Sequence, residues 1–229
     1  MAINADPSRK PQGHLVIGTT GAGKSQVCKN RIPSSGVRLV AFDPDGDHSI
    51  PYGKPDRFAG KRKWKPCIGF DSMAQFSKTL RQADLSGKPY RIAYTGAKKP
   101  VDFERFCLGV WDILDGDVDT HVILEEVGQF TASSGPALAD YGDLLRRGRK
   151  YGCIPYTVAQ RSAEVPSTAR QNSRFRYVGL VDGEDDAKSA QKYAGVSWDK
   201  LLEIEPDTLT FYLKETGRPA EKVQLNYIE

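Results

Sequence analysis

The octapeptide GTTGAGKS, residues 18–25, constrains the fold of this chain more than any other stretch. It follows the apolar run HLVI and leads into AGKSQVCKNRI, so the pattern reads as a buried strand, a glycine turn and a helix. The spacing G-x-x-x-x-G-K-[ST] is the one a phosphate cradle needs. Gly18, Gly21 and Gly23 permit tight backbone conformations, which lets consecutive N–H groups turn inward at a helix N-terminus. In that reading Thr19, Thr20, Ala22 and Gln26 complete the nucleotide-binding run, Lys24 reaches the β and γ phosphates, and the Ser25 hydroxyl ligates Mg²⁺. The bland alternative is an ordinary glycine turn before a surface lysine.

The rest of the chain alternates strands with helices. VRLVAFDP (37–44), YRIAYTG (90–96), HVILEE (121–126) and CIPYTVAQ (153–160) are apolar and strand-like. FDSMAQFSKTLRQAD (70–84) spaces Phe70, Met73, Phe76 and Leu80 at helical intervals, and VDFERFCLGVWDIL (101–114) does the same with Phe103, Phe106, Val110 and Leu114. After a loop containing SSGP, ALADYGDLLRRGRKYG reads as a helix; RYVGLVD then reads as a strand and DDAKSAQKYAG as a short helix. TLTFYLKETGRPAEKVQLNYI reads as two strands around a Gly and Pro turn. This order predicts an α/β fold, a largely parallel central sheet flanked by helices with a C-terminal antiparallel strand pair at its edge. We expect one domain over 1–229, with a hairpin around 208–228 and a Gly-, Pro-, Asp- and Lys-rich insertion around 45–69, exposed and functional or partly mobile.

A hydrolytic nucleotide site also needs carboxylates at the tip of a neighbouring strand, and HVILEE supplies two. Glu125 is expected to hold the Mg²⁺ shell and Glu126 to orient the attacking water or accept its proton. Adjacent side chains on a straight strand face opposite ways, so both reach the nucleotide only if the strand ends or turns there; otherwise the pair is a solvated acidic end. Asp43 and Gln160 close two other strands and so belong either at the γ-phosphate rim or as caps of their loops. LLRRGRKYG carries Arg146, Arg147 and Arg149. One of them either stabilises the γ phosphate of a neighbouring subunit, Arg149 being best presented by the Gly148 break, or all three merely complement a helix dipole.

Composition narrows the setting. The formal charge, 33 minus 29 or +4, is modest, but residues 54–65 carry six Lys or Arg against one Asp, a pattern for phosphate contact or for a solvated loop. Cys28, Cys67, Cys107 and Cys153 have no paired ligand spacing, and the expectation is a reduced, intracellular protein without membrane span or leader.

GTTGAGKS, VRLVAFDPDG, VILEEVGQF and LLRRGRKYG leading into YTVAQRSAEVP together resemble the HerA/FtsK superfamily of DNA-pumping ATPases. The resemblance runs from about residue 14 to 180. Within that superfamily the small size is similar to the genome-packaging ATPases of icosahedral viruses with an internal membrane. It implies a P-loop NTPase of the RecA-like, additional-strand type that hydrolyses ATP with Mg²⁺. Lys24 and Ser25 match the nucleotide and metal residues, Glu125 the usual Asp of the second acidic motif, Glu126 the catalytic Glu and Gln160 the sensor, while the arginine finger falls in LLRRGRKYG. Glu125 in place of Asp is the departure. The resemblance also implies double-stranded DNA as partner, a homo-oligomer, commonly a hexameric ring, a capsid or viral-membrane vertex protein as dock, and action in the host cytoplasm during assembly or at the packaging vertex. The competing readings are a conjugation or phage-morphogenesis ATPase, a nucleotide-dependent structural or regulatory protein and a small-molecule kinase.

Overall fold

The computed structural model describes residues 2–131, 135–137 and 139–229. The strands are β1 (Gly13–Ile17), β2 (Arg38–Phe42), β3 (Ser49–Pro51), β4 (Cys67–Phe70), β5 (Tyr90–Tyr94), β6 (Thr120–Leu124), β7 (Cys153–Ala159), β8 (Ser173–Val178), β9 (Thr210–Glu215) and β10 (Ala220–Gln224). The helices are α1 (Lys24–Arg31), α2 (Met73–Leu85), α3 (Pro100–Ile113), α4 (Val127–Phe130), α5 (Ala139–Arg147), α6 (Ser167–Asn172), α7 (Gly183–Ala194) and α8 (Trp198–Leu202). All ten strands join one sheet in the order β10-β9-β8-β1-β7-β6-β2-β5-β4-β3. The run from β8 to β3 is parallel, and β9 and β10 extend the β8 edge as an antiparallel pair. One strand, β7, therefore lies between the strand that feeds the glycine turn and the strand that ends in the two glutamates.

The strands read as continuous apolar runs because both faces of the sheet are covered. On one face Leu15, Ile17, Val40, Phe42, Val122 and Leu124 pack with apolar side chains of α2, α3, α5 and α7. On the other, the alternate residues Val16, Leu39, Ala41, Ile123 and Val158 pack with Val27 and Cys28 of α1, with Trp64 and with Leu225 and Ile228 near the C-terminus. Phe42 is fully buried and meets Phe103, Phe106 and Phe130 edge-on at centroid distances of 4.9, 5.3 and 4.9 Å. In a parallel sheet the carboxyl ends of the strands open onto one rim. The connections after β1, β2, β6 and β7 accordingly meet there.

Several expectations need correction. Residues 45–69, expected as an exposed or partly mobile insertion, hold β3 and β4, and Trp64 is buried there against the sheet. Phe70 ends β4, so it does not share a helical face with Met73, Phe76 and Leu80; α2 begins at Met73 behind its N-cap Ser72. Of the helix expected over 137–152, Leu138 lies outside the described residues, and from residue 139 onward there is α5 followed by a 3-10 turn, Gly148–Tyr151, rather than one helix. Ser133 and Ser134 of the expected SSGP loop lie outside the described residues. Among the described residues no helix is long and apolar enough to cross a membrane.

Candidate active site

The glycine turn is built by close packing as well as by backbone freedom. A side chain at Gly18 would press its Cβ to within 2.8 Å of Ala22 Cβ. Gly23 has φ +80°, and a Cβ there would overlap Leu209 Cδ2. α1 starts directly behind it, so the loop amides and the helix N-terminus share one concavity. The Lys24 ammonium donates to the Thr19 carbonyl at 3.3 Å, folded over its own loop.

β6 stops at Leu124, and Glu126 takes a left-handed conformation, φ 51° and ψ 39°, as the N-cap of α4. That turn meets the condition under which adjacent glutamates reach one site. For a glutamate it costs on the order of 1 kcal/mol, a strain typical of functional positions. Gln160, immediately past β7, donates through Nε2 to Glu126 Oε1 at 3.1 Å, and Thr20 Oγ donates to Gln160 Oε1 at 3.5 Å. Gln129 adds a 3.4 Å bond to Glu126 Oε2. Glu126 is thus tied to the glycine turn through a single amide side chain.

Glu125 is held differently. Its Oε1 accepts from His48 Nε2 at 2.6 Å, and both groups are buried. Burial raises the Glu125 pKa against the opposing pull of His48. Burial opposes a charge on His48, but the Glu125 contact and the nearby Asp43 and Asp47 outweigh it and leave the imidazole above its ordinary pKa. Cys28 Sγ completes a trio with His48 and Glu125, their ligand atoms within 4.8 Å of one another, but burial drives the thiol pKa well up and keeps it protonated.

Thr20, Gly21, Gly23, Lys24, Ser25, Gln26, Glu125, Glu126 and Gln160 line one cavity of about 730 Å³ at the rim, together with Lys29, Asp45, Asp47, Asp207, Leu209 and Tyr227. Gly18, Thr19 and Ala22 belong to the same turn without lining that cavity. Asp43 does not line it either. Fully buried, it accepts from the His48 amide at 3.1 Å and from Ser49 Oγ at 2.6 Å, which is the loop-capping alternative. Arg146, Arg147 and Arg149 are also absent from the lining. Arg146 and Arg147 pair with Asp143 at 3.4 Å, and Arg149 donates to the Arg9 carbonyl at 3.2 Å.

Sequence reasoning missed Asp47, whose Oδ2 accepts from the Ser25 hydroxyl at 3.0 Å, and His48. The signal was the acid-rich DPDGDHS immediately after β2. Oxygen donors suit a hard divalent cation, and Ser25, Asp45, Asp47 and Glu125 offer them within one cavity.

No protein-family model matches the chain. It is 28% identical over 225 residues, 97% of its length, to Protein P9 of Pseudoalteromonas phage PM2, of which it covers 94%. The genome packaging NTPase B204 of Sulfolobus turreted icosahedral virus 2, solved with AMPPCP, superposes with a TM-score of 0.66 at 13% identity, over 95% of this chain and 98% of that one. The bacterial conjugative coupling protein TrwBΔN70 superposes with a TM-score of 0.61 at 14% identity, over 96% of this chain and 85% of that one. The fold is that of the P-loop NTPases, shared with a viral genome packaging NTPase and a conjugative coupling protein.

Proposed function

We propose that the chain is a Mg²⁺-dependent ATPase that drives double-stranded DNA, most specifically a viral genome entering a preformed capsid. The observation that carries the reading is the convergence of Lys24, Ser25, Glu126 and Gln160 on one cavity at the carboxyl rim of a parallel sheet. In this reading the turn amides and the α1 N-terminus bind the phosphates, and the Lys24 ammonium leaves the Thr19 carbonyl for the β and γ oxygens. Glu126 orients the attacking water and takes its proton. The Gln160 amide, already bonded to Glu126, responds when a γ phosphate arrives beside Thr20 and links that event to β7. A bound Mg²⁺ would be held by Ser25 Oγ with Asp47 and Glu125, and would neutralise charge developing between the β and γ phosphates.

The arginines fit action between subunits. Arg146, Arg147 and Arg149 precede the amino end of β7, whereas Gln160 follows its carboxyl end, a span of roughly 20 Å at 3.3 Å per residue. None of the three lines the cavity of its own subunit. A head-to-tail ring, by contrast, sets one edge of each subunit against the opposite edge of the next. The expected assembly is a homo-oligomeric, hexameric ring around DNA, docked on a capsid or membrane vertex protein and working in the host cytoplasm or at that vertex. The basic 54–65 run is then a candidate for backbone contact, insensitive to base sequence and sensitive to salt.

ATP turnover by the purified protein, with and without double-stranded DNA, tests the reading. A motor hydrolyses ATP and is stimulated several-fold by DNA, the stimulation fading between about 50 and 200 mM salt. Hydrolysis indifferent to DNA favours a structural or regulatory NTPase, and no hydrolysis in any assembled form refutes the enzyme.

A further inference from the structure

Beyond Leu225 the C-terminal residues leave the β10 ladder. They cross α1 beside the phosphate loop. Gln26 clasps them reciprocally, its Nε2 donating to the Ile228 carbonyl at 3.2 Å and its Oε1 accepting from the Ile228 amide at 2.8 Å. Asn30 Nδ2 donates to the Asn226 carbonyl at 2.9 Å, and the Leu225 amide bonds the Leu209 carbonyl at 3.0 Å. Leu225 and Ile228 turn inward and pack against the core on the α1 face. Tyr227 is left outward, 72% exposed, at the mouth of the cavity that holds Lys24 and Ser25. Among the described residues its ring stacks on no other aromatic group.

The other wall at this end is strained. Asp207 and Leu209 both have positive φ, 59° and 51°, and the Leu209 side chain is pressed against Gly23 of the phosphate loop. Left-handed leucine is disfavoured by its Cβ, and such strain gathers where a ligand is clamped. Polarity along the cavity gives the direction. Glu126 and Gln160 occupy the end where hydrolysis would occur, and Gln26 sits beyond Ser25 on the first turn of α1, where a bound triphosphate ends and its nucleoside begins.

We propose that Tyr227 and Leu209 form the nucleobase subsite, with Tyr227 as a stacking platform for a purine and Gln26 as the positioning residue that clasps its segment to the phosphate-loop helix. The inference rests on the ATP reading above and adds what recognises the nucleoside. A tyrosine ring stacks on a base through its π face, so a purine gains more than a pyrimidine and inorganic triphosphate gains nothing.

Isothermal titration with ATP, CTP and inorganic triphosphate in Mg²⁺ tests it. Wild type should bind ATP more tightly than CTP. Tyr227→Ala should weaken ATP by about tenfold and leave triphosphate unchanged, while Tyr227→Phe retains ATP affinity. Gln26→Ala should lower the ATP-to-triphosphate affinity ratio in the same sense, which a general loss of stability would not do. Tyr227→Ala with wild-type ATP affinity, or with ATP and triphosphate weakened equally, overturns the subsite while leaving the ATP reading standing. Wild type that binds neither ATP nor triphosphate overturns both.

Discussion

Glu126 sits where a glutamate pays for its backbone and receives two hydrogen bonds from neighbouring amide side chains in return. Gln160 is the more telling partner because it also meets Thr20 of the glycine turn. Gln160→Ala should therefore lower ATP turnover by roughly ten- to a hundredfold while shifting ATP affinity less than about threefold, read by steady-state kinetics beside titration calorimetry. Lys24→Ala should behave oppositely, weakening ATP binding by at least about tenfold through loss of a charged phosphate contact. The strand, glycine turn and helix around residues 13–31 were legible in the sequence because the apolar run, the glycines and the Lys24–Ser25 pair are contiguous. Asp47 and His48 were not, since their approach to Ser25 and Glu125 depends on how the DPDGDHS loop folds back, which no local spacing encodes.

Among the elements, the long apolar strands and the three-turn helices declared themselves by period, whereas β3 and β4 did not. β3 is three residues ending in Pro51, and β4 alternates burial, with Ile68 half exposed between buried Cys67 and Gly69, in a Lys-rich surround that reads as loop. Phe70 was drawn into a helical pattern because a lone aromatic beside Met73 and Phe76 satisfies that period by chance. The centre of the sheet carries its own consequences. Phe42→Ala removes a ring packed edge-on against three others and tilted against Tyr94, and should destabilise the fold by about 3–5 kcal/mol in denaturant unfolding. His14 of β1 stacks on Tyr156 of β7 at 4.3 Å, and burial lowers its pKa to about 3; burial likewise lowers that of His121 in β6 to about 4. A folded-state pKa depressed below the unfolded value of about 6.5 means that the unfolded chain takes up protons first, so stability is complete above that value and falls as pH drops towards 4 and 3. Thermal melts should show a loss of about 2 kcal/mol per histidine at pH 5, and His14→Phe should blunt it.

At the scale of the whole molecule, the sheet divides the protein into a rim that gathers the phosphate loop, Glu126 and Gln160, and an opposite edge that carries Arg146, Arg147 and Arg149. If those arginines act in a neighbour, two inactive chains should rescue each other. Mixing Lys24→Ala protein with a chain lacking all three arginines would restore hydrolysis at up to about a quarter of the sites, where an intact cavity meets an intact donor. An inactive mixture that still assembles would contradict action in trans. The account as a whole depends on Glu126 serving the triphosphate that Lys24 holds. ATP binding and ATP hydrolysis measured on one preparation of Glu126→Gln test this most directly. Affinity within about threefold of wild type with turnover reduced at least about a hundredfold is the predicted result, and turnover at the wild-type rate would contradict it.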